Sequence, residues 1–477
     1  MHTDDYERLS FLDSSFIFLE NRTNHMHVGS VAIFEVGDLQ KDDGGIDVDR
    51  VRAYIATRLD RIPRYRQVIS FVPIEHHPVW VDDPHFNVNY HVRHTALPRP
   101  GDERQLKRLA GRIMSQQLDR TKPLWEFWIV EGLEGGRFAV VTKTHHAMVD
   151  GISTVDLATV LLTPEPTTTF APAPPWTPRP MPSRWEIARS EALRRLRAPL
   201  AIVDEIRERI AHKDELRSDV ELALRATEDV VRTYKERVSS TPLNQPIGPH
   251  RRFDWLEMDL GELKRVRQTL GGSLNDVVLA TVSGAMRRFL ERRGADIDHT
   301  QFRVMTPVST RTADERGTLG NHVSAWMVDM PIAERDPARA VAAIRETTSR
   351  LKETNQALGA EMLSKVMSWT PSTLLAIGSR VAVRAFPFNL VVTNVPGPQK
   401  ALYLLDARMI ANYGLVPLTD YLGLGIVLFS YAGKLAWGFN ADWDLLPDLH
   451  DIVRDVEESF RDLQRAADPL TAGEVRP

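Results

Sequence analysis

The chain has 477 residues, 43% of them hydrophobic and 26% charged, so it can bury more than one core and is too apolar for disorder. Its formal charge of -4, from 60 Lys and Arg against 64 Asp and Glu, provides no global basic field of the kind that draws nucleic acid. Cysteine is absent, which excludes a thiol nucleophile, a disulfide framework and every Cys-ligated metal or iron–sulfur centre.

In chain order, Met1 to Arg8 is acidic and polar and lacks the basic and apolar regions of a secretory signal, so cytoplasmic residence is expected. No run of about 18 apolar residues occurs, so any contact with a membrane or lipid droplet is expected to be peripheral. Residues 10 to 162 mix helix and strand patterns; the apolar runs Val28 to Phe34 and Phe138 to Val141 predict strands. Three histidine groups lie in this stretch. His25 and His27 read as fold or channel wall, and His76-His77 as loop, because neither is followed by Asp-Gly. Pro123-Leu124-Trp125 suits a turn with a buried tryptophan as readily as a substrate contact. From Pro164 to Pro182 prolines are too dense for a regular helix or central strand, which marks a boundary.

Beyond the boundary, Leu193, Leu196, Leu200, Val203, Ile206 and Ile210 form one apolar stripe. They predict a helix from Arg184 to Ile210, bent near Pro199, and a second helix running to Val238. The arginines of the first helix suit an anionic lipid surface, but Asp204, Glu205 and Glu208 dilute them and favour packing. Strand and helix patterns resume from Phe253 to Trp443, with Leu390 to Val395 a strand closed by the rigid turn Pro396-Gly397-Pro398. The expected fold is therefore α/β (α+β), with one half at 1–163, a Pro-rich linker and crossover helices at 164–250, and a second half at 251–477.

The candidate chemistry sits in His145-His146-Ala147-Met148-Val149-Asp150-Gly151. A histidine at the end of a buried strand is carried on a rigid support and can meet substrate. Adjacent histidines on extended backbone face opposite ways, so one is expected to point to the reaction centre and the other away. Asp150 can cap a following helix, Ser153 to Leu162, or take an ion pair, and Gly151 permits a turn closed to other residues. Metal binding by His145, His146 and Asp150 is the weaker alternative, and no metal site is assigned.

His145-His146-x-x-x-Asp150-Gly151 resembles the HHxxxDG signature of CoA-dependent acyltransferases, a superfamily with chloramphenicol acetyltransferase and peptide-synthetase condensation domains. Further segments, in order, are similar to motifs of the bacterial wax ester synthase/diacylglycerol acyltransferase family. They are Leu9 to Asp13, His25 to Gly29, Pro123 to Glu126, Asn275 to Ala280, Pro307 to Arg311, Gly320-Asn321 and Thr393 to Pro398. Thr393 stands where the family usually has Ser, and a hydroxyl is kept.

The resemblance implies two chloramphenicol-acetyltransferase-like halves joined by a long, partly helical crossover, with the reaction channel between them. It implies His146 as general base, His145 as support of the loop, Asp150 as a structural partner of an arginine, with Arg311 the candidate, and Asn275 beside the oxyanion. Acyl-CoA is the implied co-substrate, no cofactor is bound permanently, and the CoA-binding residues stay unassigned. Diacylglycerol is the leading acceptor, giving triacylglycerol, and a long-chain fatty alcohol, giving wax ester, is the runner-up. A carrier-protein acyl donor and a non-catalytic lipid-binding relative are the remaining alternatives.

Overall fold

A computed structural model describes residues 6–73, 75–148, 160–183, 185–190, 238–309, 323–353 and 388–473. The first part of the chain gives β1 (Glu7–Arg8), α1 (Phe11–Leu19), β2 (His27–Glu35), α2 (Val48–Arg58), β3 (Gln67–Phe71), β4 (Pro78–Asp82) and β5 (Val92–Ala96). It continues with α3 (Glu103–Met114), β6 (Trp125–Leu133) and β7 (Arg137–His145). The later part gives β8 (Arg251–Asp259), α4 (Leu260–Leu270), α5 (Leu274–Arg292), β9 (Phe302–Ser309), β10 (Val323–Met330) and α6 (Pro337–Glu353). After these come β11 (Leu390–Pro396), β12 (Tyr403–Leu404), β13 (Ala407–Leu415), β14 (Leu424–Tyr431), β15 (Lys434–Asp442) and α7 (Leu449–Gly473). The strands predicted at Val28, Phe138 and Leu390 are β2, β7 and β11.

Two six-stranded mixed sheets organise the molecule, in the orders β12-β13-β2-β7-β6-β5 and β10-β9-β11-β14-β15-β8. A small sheet, β1-β4-β3, lies beside the first. The expected pair of α/β halves is present, with one departure from linear order. The stretch expected to form the second half, 251–477, lends β12 and β13 to the first sheet, where β13 pairs antiparallel with β2. Without that strand, β2 would present an open edge of unpaired backbone groups. β2 is buried on both faces, which is why it reads as a continuous apolar run rather than an alternation.

Helix boundaries follow local chemistry. Ser10 caps α1 by accepting the Asp13 N–H, and Asp102 with Gln105, and Ser273 with Asp276, form reciprocal capping boxes at α3 and α5. The second sheet buries one face under α4, α5, α6 and α7, with α5 at the centre of that core. The first sheet is covered on both faces. One face packs on α1, α2 and side chains of β14; the other packs on α3 and on Phe253 and Trp255 of β8.

The sheets meet where β13 passes β14 and β15. There a Cβ at Gly438 would lie 2.1 Å from the Gly414 carbonyl oxygen, so only glycine admits the approach. Trp255 of β8 stacks on Tyr413 of β13 at 4.6 Å between ring centroids, and the Tyr413 hydroxyl donates to Glu257 at 2.9 Å.

The Pro-rich stretch carries no regular element between Thr163 and Ser183 beyond one bridge from Thr163 to Tyr403, as its composition predicts. Of the expected helix Arg184 to Ile210, residues 185–190 are helical. The rest of it, the second crossover helix before Val238, and Ser153 to Thr159 lie outside the described residues, as do Asp150, Gly151 and Arg311.

Candidate functional site

β2 and β7 run antiparallel, and their register places His27 opposite His145 at the end of the pair. The strands approach so closely that a Cβ on Gly29 would fall 2.1 Å from the Thr142 carbonyl oxygen. At this end β7 passes into a short 3-10 turn, His146–Met148. The turn is pinned from both sides: His145 N–H donates to Leu124 O at 2.9 Å, and His146 N–H donates to Met26 O at 2.8 Å. Met26 takes a left-handed backbone, φ 47°, to present that carbonyl.

The two histidines are unequal, as adjacent residues on extended backbone must be. His145 is fully buried, and its Nδ1 accepts the Ala147 N–H at 3.1 Å. His146 is only partly buried and rests on Phe16 of α1, with ring centroids 4.0 Å apart. Burial pushes the His146 imidazole down to about 4, against the opposing pull of its own backbone. At neutral pH the ring is therefore uncharged and able to accept a proton.

Behind His146 lies a buried polar cluster that sequence reasoning missed. Glu20, at the end of α1, sits 3.7 Å from both His27 Nε2 and His145 Nε2 and is clamped by Arg120, whose Nε lies at 2.7 Å. Burial lowers both imidazoles well below the ordinary histidine value. Lys143, fully buried on β7, donates to Glu126 at 3.0 Å and to the carbonyls of Ile113 and Gln116 at 3.1 and 3.0 Å. A lysine just beyond the buried apolar run Phe138 to Val141, inside the same strand, was the available signal for this pair.

His25 and His27 are buried, in keeping with a fold role, with His25 Nε2 2.9 Å from Arg22 O. His77 is buried against the Leu9 carbonyl. Trp125 opens β6, donates Nε1–H to Tyr65 O at 2.8 Å and stacks on His91, a packing role. Asn275 occupies the first turn of α5, partly buried, and has no side-chain hydrogen bond among the described residues. Its neighbour Asp276 closes the capping box and accepts the Thr348 hydroxyl at 2.8 Å. Val395 of β11 and Ala147 of the histidine turn belong to one apolar cluster, so a second-half motif packs into the core that carries the histidines.

Among the described residues no group of three His, Cys, Asp or Glu side chains is arranged to hold a metal ion. No described helix is long and apolar enough to cross a membrane. A cleft of about 260 Å³ between α3 and the start of β8 is lined by Arg104, Arg108 and Arg252, with Lys107 paired to Asp254 at 2.6 Å, a net basic set that suits phosphate groups.

The family model for the wax ester synthase/diacylglycerol acyltransferase catalytic domain matches residues 9–278, and that for the C-terminal domain matches 319–464. A putative diacylglycerol O-acyltransferase of Mycobacterium tuberculosis is 31% identical, over 98% of this chain and 92% of the relative. A probable diacylglycerol O-acyltransferase of the same organism is 29% identical over 94% of each. Among solved structures, the wax ester synthase/diacylglycerol acyltransferase of Marinobacter aquaeolei superposes with a TM-score of 0.66 at 24% identity, over 97% of this chain and all (100%) of that one. The first condensation domain of the CDA synthetase gives 0.59 at 17% identity, over 98% of both chains. These superpositions share the two-half fold.

Proposed function

The chain belongs to the wax ester synthase/diacylglycerol acyltransferase family, and from that premise we propose that it moves a long acyl chain from acyl-CoA to the free hydroxyl of diacylglycerol, with His146 as general base. The observation that carries the reading is His146 itself: an uncharged imidazole at a strand end, rested on Phe16 and only partly covered.

In this mechanism Nε2 takes the acceptor hydroxyl proton as the oxygen attacks the thioester carbonyl. The tetrahedral intermediate then collapses, the C–S bond breaks, and the imidazolium returns its proton to the departing CoA thiolate. Base catalysis of this kind supplies roughly 10² to 10⁴-fold, and positioning and oxyanion stabilisation supply the rest. No acyl-enzyme is required, which suits a chain without cysteine.

Within this proposal His145 supports the turn, Asp150 and Gly151 shape the loop beyond it, and Asn275, free of side-chain partners among the described residues, is the candidate near the oxyanion. The basic cleft beside α3 is a candidate for the phosphates of CoA. Residues 1–163 and 251–477, the latter lending β12 and β13 to the first sheet, form the two halves about the crossover 164–250. A cytoplasmic protein touching a membrane or droplet surface peripherally fits substrates that reside in lipid.

Acceptor choice is tested by incubating the protein with palmitoyl-CoA and either dioleoylglycerol or hexadecanol, following free CoA and the lipid product. Faster triacylglycerol formation supports diacylglycerol as acceptor, and faster wax ester formation replaces it with fatty alcohol. CoA release that no acceptor accelerates overturns the transferase reading for these substrates.

A further inference from the structure

The geometry behind the histidine turn points to Glu20 as a positioning residue for acyl transfer, an inference that rests on His146 acting as base. Glu20 follows the last turn of α1, with its N–H on Phe16 O at 3.1 Å, and its side chain is 3% exposed. One carboxylate oxygen lies 3.7 Å from His27 Nε2 and the other 3.7 Å from His145 Nε2. These separations exceed a hydrogen bond, so the carboxylate acts on the imidazoles through its charge.

The tautomer of His145 follows from its neighbours. Its Nδ1 accepts the Ala147 N–H, so the ring proton sits on Nε2 and faces Glu20. The opposite tautomer would set an N–H against the Ala147 N–H. Neither His27 nitrogen nor His145 Nε2 has a hydrogen-bond partner among the described residues, which leaves Glu20 as the group that orients both rings.

The two imidazoles bracket the backbone that holds His146. His27 follows Met26, whose carbonyl accepts the His146 N–H, and His145 precedes His146 directly. A single carboxylate between them ties the end of β2 to the end of β7 and so fixes the direction in which the His146 ring leaves the turn. Arg120, which also donates to Ile17 O at 2.9 Å, keeps that carboxylate in place.

The charged and titratable groups facing Glu20 are Arg120 from the segment after α3, Lys143 and His145 from β7, and His27 from β2. Burial holds the Glu20 carboxyl above its ordinary value, against the lowering pull of Arg120 and Lys143. Its ion pair with Arg120 is that of a carboxylate, and acidification converts it to a neutral group that Gln mimics in shape.

The test compares wild type, Glu20→Gln and Arg120→Leu in the palmitoyl-CoA assay across pH, with urea midpoints for each and His146→Ala alongside. At pH 7, Glu20→Gln is expected to lose on the order of 10- to 100-fold in kcat while KM for acyl-CoA stays within about two-fold. The ratio of wild type to Glu20→Gln is expected to shrink toward one as pH falls through the Glu20 carboxyl. In Arg120→Leu the loss of activity is expected to begin at a higher pH, because the cation that lowers Glu20 is gone. A pure folding defect would lower activity equally at every pH and move the urea midpoint with it, and that pattern overturns the inference. So does unchanged kcat in Glu20→Gln, or an acid loss in Arg120→Leu that begins where it does in wild type. If His146→Ala keeps its turnover, the base reading fails and the positioning role falls with it. If His146→Ala is dead while Glu20→Gln is fully active, only the positioning role falls.

Discussion

Replacing Lys143 by Met keeps the unbranched stem of the side chain and removes the ammonium with its charge and donors. The wild-type Nζ satisfies the carbonyls of Ile113 and Gln116 at the end of α3 and neutralises Glu126, all within 3.1 Å and with no exposure of the lysine side chain. Met removes one donor from the Ile113 carbonyl, which keeps the Gln116 N–H at 3.3 Å, takes the ammonium from the Gln116 carbonyl, and leaves one buried carboxylate short of a cation. Breaking such a buried pair costs about 3 to 5 kcal/mol. Glu126 retains Arg93 at 3.1 Å and the Trp128 Nε1–H at 2.9 Å, which places the expected loss near the lower end, about 3 kcal/mol. Urea unfolding followed by tryptophan fluorescence measures it, and adding Glu126→Gln should recover part of the loss. A cost below about 1 kcal/mol would refute the view that this pair anchors α3 to β7.

Phe16→Ala uncovers the His146 ring, so the acid limb of kcat/KM should move from near 4 toward the ordinary histidine value; an unmoved limb would show that Phe16 does not desolvate the base. Gly29→Ala forces β2 away from the Thr142 carbonyl and should cost about 3 kcal/mol by urea unfolding, with neutral behaviour contradicting the close approach. Five histidines, the buried His25, His27, His91 and His145 and the partly buried His146, are held below their ordinary value, with His91 and His146 at about 4. The unfolded chain therefore binds protons that the folded chain refuses. Stability should be full above about 6.5 and fall on acidification, by up to about 1.4 kcal/mol per pH unit for each histidine, with Glu20, shifted the other way, offsetting part. A urea midpoint that stays flat from pH 7.5 to 5 would contradict this.

Much of the site was legible because its signals are local. Apolar runs gave β2 and β7, the strand end gave the histidine turn, and extended geometry required His145 and His146 to differ. What escaped depends on residues distant in sequence. The entry of β13 into the first sheet is set by the open edge of β2 and by the glycine contacts at Gly414 and Gly438, which no periodicity reveals. Glu20 and Arg120 look like ordinary charges until α1 and the segment after α3 fold against β7. Trp125 gave no sign in sequence of choosing packing over substrate; its indole N–H on Tyr65 O decides that. For Asn275-Asp276, the motif drew attention to the asparagine, while the hydrogen bonds of the fold belong to the aspartate.

The most direct test of the central claim is the rate of CoA release from palmitoyl-CoA, with and without dioleoylglycerol, in wild type and His146→Ala. General-base catalysis by His146 predicts acceptor-dependent release that falls by roughly 10² to 10⁴-fold in the variant, with an unchanged urea midpoint. Acceptor-dependent release persisting within about ten-fold of wild type would contradict it and place the proton transfer on another group.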